Sequence, residues 1–182
     1  MATTQTNKKS QKNKLTRVGR LLRSPQYKEY MDQISRFEET RRFCRHDRNH
    51  CWETARTAYI LYSTGEVSCG EFEDFSPKAI QEMIYAAAFL HDVGRFKEYA
   101  DEALDHSVEG AVLARPLLFE AGFSDAESTL ILKAIAHHRK KDGVGFDLLL
   151  YRADKESRPC YDCPVLAECK KFSPEKQPVI TV

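Results

Sequence analysis

The sequence predicts an all-α fold ending in a short, irregular, cysteine-rich segment. Three observations predict it. Apolar residues recur at helical spacing through most of the 182 residues. Strand-like alternation is scarce, and there are only eight glycines. Helix start signals (serine before proline, aspartate before an apolar run, a serine-to-glutamate capping pattern) recur along the chain.

The elements follow in order. Ser24-Pro25 reads as an N-cap with proline at the first helical position, opening a helix to about Phe43. A second helix is expected over about 46–62, ending before Ser63-Thr64-Gly65. Residues 63–75 read as a loop that holds Cys69 as a plain thiol. Ser76-Pro77 repeats the cap signal and starts a third helix to about His91. Asp105 caps a fourth, which Pro116 is expected to kink or end. Ser124 to Glu127 is a capping box for a fifth, reaching about His138. After a turn at Lys141–Gly145, a sixth runs from about Phe146 past Asp154.

Bulk composition narrows the classes. Apolar residues make up 42 % and charged residues 30 %, a globular mix. The net charge of +1 excludes a polycation built around nucleic acid. Residues 1–24 carry seven Lys/Arg and no acid, and read as a disordered basic tail. The expected division is therefore tail 1–24, helical domain 25–158, and a metal-binding segment with its own tail over 159–182. No apolar run approaches the ~18 residues of a membrane helix, and the start has no signal-peptide stretch. A cytoplasmic protein is expected, whose six cysteines are thiols or metal ligands.

The chemistry concentrates at helix ends. Ile80, Met83, Ile84, Ala87, Leu90 and His91 share a helical face, so His91 points inward and Asp92 follows at once. Phe146, Leu149, Leu150 and Ala153 form a second apolar face, which Asp154 shares. Two inward carboxylates repel unless a cation or a proton lies between them. His50 lies one turn into the second helix, His106 opens the fourth beside Gly110, and His137-His138 close the fifth. Spacing does not choose between His137 and His138, because both lie on apolar stripes. Imidazole with carboxylate suits iron, manganese or zinc and metal-assisted hydrolysis.

The order His50 … His91-Asp92 … Asp154 resembles the HD superfamily of phosphohydrolases, and Ala88 to Gly94 is similar to its central motif. His106 and His138, placed between that motif and Asp154, resemble the two-metal branch. This branch includes cyclic dinucleotide phosphodiesterases of the HD-GYP type and di-iron diadenosine tetraphosphate hydrolases. Ala134–His138 and Arg152–Arg158 resemble the latter, and no Gly-Tyr-Pro motif is present. The likeness covers about residues 40–160. The whole chain is also similar to a small group of bacterial HD proteins that end in a cysteine cluster, which says little about substrate.

The resemblance implies one metal held by His50, His91, Asp92 and Asp154, with Asp92 bridging to a second held by His106 and His138. It leaves His137 and His46 as optional ligands. It implies hydrolysis of a nucleotide or dinucleotide phosphate by a metal-bridging hydroxide, with His91 and Asp92 at its centre. Arg95 and Arg158 are the favoured phosphate-holding cations; Lys97, Arg139 and Lys140 are further candidates.

Cys160-x2-Cys163-x5-Cys169 has the spacing of a metal knuckle. A fourth ligand must come from elsewhere. Cys44 is preferred to Cys51 because it falls between the first two helices. Zinc is expected there, with an iron-sulfur cluster as the alternative. The competing functions are a non-catalytic HD domain that binds a nucleotide, a metal or redox sensor acting through the cysteines, and, more weakly, polyanion binding by the tail. The expected partner is a small-molecule phosphate, and a homodimer is compatible with the reading.

Overall fold

A computed structural model describes residues 14–172 and 176–178, and its regular structure is helical. The helices are α1 (Thr16–Arg23), α2 (Pro25–Phe37), α3 (Arg48–Ser63), α4 (Pro77–Leu90), α5 (Arg95–Ala100), α6 (His106–Ala121), α7 (Asp125–His137) and α8 (Gly145–Glu156). Short 3-10 turns lie at Gly70–Phe72, Cys160–Asp162 and Leu166–Glu168. No helix is long and apolar enough to cross a membrane.

α4 is the central element. It packs against α1, α3, α6, α7 and α8. Its residues Ala86 to Leu90 are consecutively buried, so the single stripe read from the sequence is an understatement. Three successive alanines let neighbours approach from several sides, and a helix apolar all round belongs inside. α3 and α8 close one flank and α6 and α7 the other. The ends of these helices converge on the C-terminal end of α4, where His91 and Asp92 follow.

Two caps match the sequence in detail. Ser76 accepts from the Ala79 amide, and Ser124 with Glu127 forms the reciprocal capping box. Three boundaries differ. α2 stops at Phe37, because Glu38 turns inward to accept hydrogen bonds from the His46 amide and the Tyr99 hydroxyl. α6 continues through Pro116 to Ala121. Pro116 lies on the exposed face, so the carbonyl it leaves unbonded can be hydrated. Gly122, at φ 88°, ends the helix instead, its amide donating to Leu118 and Phe119.

The third difference is the basic tail. Residues 1–13 lie outside the described residues, but residues 16–23 form a helix with Val18 and Leu21 buried. The boundary at 24 is therefore corrected. Arg17 explains why a basic segment docks. Its Nε donates to Glu82 on α4 at 2.6 Å, and its Nη1 to Glu127 on α7 at 2.7 Å. The guanidinium also lies over the Phe123 ring, 4.3 Å from its centroid.

Cys69 sits in the expected loop but is buried, and burial pushes its thiol up to about 12. Cys51 is fully buried in α3.

Gly94 sets the approach of the α4–α5 turn to α6. A methyl group there would lie 2.3 Å from the His106 carbonyl oxygen and 2.5 Å from the Gly110 amide nitrogen. Both are backbone atoms and cannot swing aside. Gly94→Ala is expected to destabilise by at least the ~1–3 kcal/mol of an overpacked core and to push His106 away from Asp92. Thermal unfolding and metal content check it, and unchanged values for both would contradict the packing described.

Candidate metal centre

Five helix ends bring the ligand candidates together. Asp47 caps α3 by accepting from the His50 amide at 2.9 Å, which places His50 in the first turn. His91 and Asp92 follow the end of α4, His106 opens α6, His138 caps α7 and Asp154 lies in the last turn of α8. All six side chains are buried.

Their donor atoms form two groups that share one residue. His50, His91, Asp92 and Asp154 each offer an atom within 4.8 Å of the others, and so do Asp92, His106 and His138. His91 Nε2 is 2.9 Å from Asp92 Oδ2, and His50 Nε2 is 3.1 Å from Asp154 Oδ1. On the other side, Asp92 Oδ1 is 3.4 Å from His106 Nε2 and 3.7 Å from His138 Nε2. The two oxygens of Asp92 therefore face different groups.

Each ring is aimed through its other nitrogen. Nδ1 of His91 donates to the Ala88 carbonyl and Nδ1 of His138 to the Ile135 carbonyl, both at 2.7 Å. Nδ1 of His106 donates to Glu98, and Nδ1 of His50 lies 3.4 Å from the Thr54 hydroxyl. Such partners fix the tautomer that leaves Nε2 free to bind metal.

The donor set fits a divalent metal. Buried side-chain polar atoms without a hydrogen-bond partner, among the described residues, are Tyr27 Oη, His91 Nε2 and Asp92 Oδ2. Two of the three meet here. They are close enough for ion pairing but not aligned for a hydrogen bond, as atoms sharing a cation would be.

Electrostatics point the same way. Burial lowers His50 to about 4, His138 to about 4 and His106 to about 2, so all three are neutral near pH 7. Burial opposes charge on His91 too, but Asp92 and Asp154 outweigh it and raise this imidazole to about 9. Asp92 and Asp154 stay well below the carboxylate range: burial opposes their ionisation, but cationic and imidazole neighbours outweigh it.

A sign follows. A raised His91 stabilises the fold below about pH 6.5 and loses that contribution as pH rises through about 9. A metal requires neutral His91, so loading at pH 7 should release about one proton, and affinity should rise toward pH 9. Calorimetry in buffers of different ionisation enthalpy measures it; no proton release would contradict the charge on His91.

The remaining candidates divide. His137 points away: its Nδ1 is 2.7 Å from Asp147 Oδ2, which leaves His138 as the residue of the pair in the cluster. His46 is buried and held by Glu38, 2.5 Å from its Nδ1, and is in neither group. Arg95 donates from Nε to Asp92 Oδ1 at 2.7 Å, and Arg158 from Nη2 to His50 Nε2 at 2.9 Å. Lys97 pairs with Glu109, and Arg139 with Glu98 and Asp105. Lys140 is exposed.

Glu98, Glu38, Asp147 and Thr54 were not anticipated. Thr54 had a usable signal, one turn after His50 on the same face. The glutamates lie eight residues from the histidines they hold, a separation without helical meaning.

A cleft of about 610 Å³ reaches His50 from outside, lined also by Arg45, Arg158, Cys44, Cys160 and Cys163. A smaller cleft of about 390 Å³, lined by Asp32, Glu38 and His46, touches no residue of the two donor groups.

The sequence from 48 to 160 matches the family model described as HD domain. The chain therefore belongs to the HD domain family, a superfamily of metal-dependent phosphohydrolases. It is also 31 % identical over 155 residues to an uncharacterised protein of Clostridium beijerinckii, an alignment covering 85 % of this chain and 92 % of that one. No solved structure matches.

Proposed function

We propose that this protein is a phosphohydrolase for a nucleotide or dinucleotide phosphate, using two divalent ions that share Asp92. The observation that carries this reading is the division of the Asp92 carboxylate, Oδ2 toward His91 and Oδ1 toward His106 and His138. His50, His91 and Asp154 would complete the first site. Bound there, iron, manganese or a similar ion supplies Lewis acidity and an acidified water.

The chain's own residues do the rest. Buried helix ends exclude bulk water from the ligands. Arg158, at the cleft, offers a planar fork for phosphate oxygens, and Arg95 donates to Asp92 Oδ1, the oxygen that faces His106 and His138. A second site, at Cys44, Cys160, Cys163 and Cys169, would hold zinc, with an iron-sulfur cluster as the alternative.

A non-catalytic reading draws support from the cations on the ligand set: Arg158 contacts His50 and lies 3.5 Å from Asp154, Arg95 contacts Asp92 and Lys155 contacts Asp154. Manganese- or iron-loaded protein, offered a panel of nucleoside and dinucleoside phosphates, decides between the two. Metal-dependent release of phosphate or a nucleoside monophosphate is expected. Binding without release would favour the non-catalytic reading.

A further inference from the structure

The cysteine segment and the cleft leading to His50 share a wall. Phe43 and Cys44 come from the stretch between α2 and α3, and Cys160, Tyr161 and Cys163 from the turn after α8; all five line the cleft. Two contacts already tie these stretches together. Arg42 pairs with Glu168 at 2.7 Å, and Arg158 donates to the Arg45 carbonyl at 2.9 Å. Between Cys160 and Cys169 the backbone forms successive tight turns, with Cys163 N donating to Cys160 O and Cys169 N to Leu166 O. The Cys160 thiol is pushed up by burial and then by Cys44, against Lys171, with Cys163 and Cys169 adding to the rise.

Among the described residues, no three of these sulfurs offer ligand atoms within 4.8 Å of one another. Tetrahedral zinc at ~2.3 Å from each sulfur needs sulfurs about 3.8 Å apart. Binding must therefore draw the sulfurs together, within the 159–169 segment as well as toward Cys44.

Two large aromatics ride on those stretches. Phe43 is 43 % exposed and Tyr161 61 % exposed, each next to a cysteine and each facing the cleft. Exposed rings beside arginines suit a ligand with a flat ring and a phosphate.

We propose that a metal bound by Cys44, Cys160, Cys163 and Cys169 builds the substrate-recognition wall of the cleft. It sets Phe43 and Tyr161 to stack on the aromatic ring of a phosphate ester and holds Arg158 toward its phosphate. The substrate class named here rests on the phosphohydrolase reading; the metal and the closure it causes do not.

The test uses full-length, untagged, manganese-loaded protein with zinc added. Wild type should take up one zinc equivalent, displaceable by a thiol-specific mercurial. Zinc should slow hydrogen exchange over 42–47 and 159–169. Cys163→Ser should lose both effects while keeping its manganese. Adenosine 5′-monophosphate and inorganic phosphate are the binding probes. Tyr161→Ala should weaken the nucleotide about tenfold and leave phosphate unchanged, the size expected of one stacked ring. Cys163→Ser should weaken the nucleotide by a similar factor.

No thiol-bound zinc, or zinc without slowed exchange, overturns the metal-built wall. Zinc binding with unchanged nucleotide affinity in both variants overturns its role in recognition. Failure of the hydrolase reading would show separately, as nucleotide binding without turnover.

Discussion

Asp92→Ala should empty both ion sites and abolish turnover while leaving the helical circular dichroism signal intact. The expectation follows from position. Asp92 is the one residue common to both donor groups, and each oxygen serves a different one. Its loss leaves the second group with two neutral imidazoles and no anion. The first group keeps Asp154, His50 and His91, so weak binding of one ion at high concentration would be tolerable; tight binding of two would not.

The fold should survive because the partner left behind can adjust. Arg95 is 15 % exposed and already lies 4.0 Å from Glu98, so its charge has a second carboxylate to approach. Elemental analysis of wild type beside the variant measures the ions, and a phosphate-release assay the turnover. About two ions in the variant, or retained activity, would sink the shared-carboxylate arrangement.

Arg17→Ala should produce the largest loss of stability. Glu82 and Glu127 have side chains only 3 % and 7 % exposed, and Arg17 faces both. Removing one partner from a buried ion pair costs about 3–5 kcal/mol, chiefly because the other charge stays buried. For a chain of this size that is a fall in Tm of about 10 °C. Ser124 still donates to Glu127, which softens the loss there. Glu82 loses its guanidinium partner and keeps only the bond from the position-17 backbone amide. The double variant Arg17→Met with Glu82→Gln should therefore recover part of the loss. A Tm change below about 2 °C in Arg17→Ala would contradict the clamp.

These residues mark how far the sequence could be read. α4 was legible because its apolar residues and Ser76 cap are local signals, and His91 inherits its inward direction from the helix it ends. Asp154 was legible for the same reason. Local pattern could not place α1. Its basic residues resemble a solvated tail, and the carboxylates that hold Arg17 lie 65 and 110 positions away. The end of α2 was missed in the same way, because Glu38 leaves the helix for His46 and Tyr99. Between His137 and His138 periodicity had no preference. The choice is made by Asp147, which draws His137 aside. The meeting of Gly94 with Gly110 is made by backbone atoms alone and leaves no mark in the apolar pattern.

The side chains around Asp92 and Asp154 have a bearing on charge balance in the core. Arg95, Arg158 and Lys155 reach these carboxylates directly, Lys155 at 2.5 Å from Asp154. The chain thus supplies its own counter-ions at the centre of the bundle. The repulsion between two neighbouring buried carboxylates is thereby balanced by the protein's own cations.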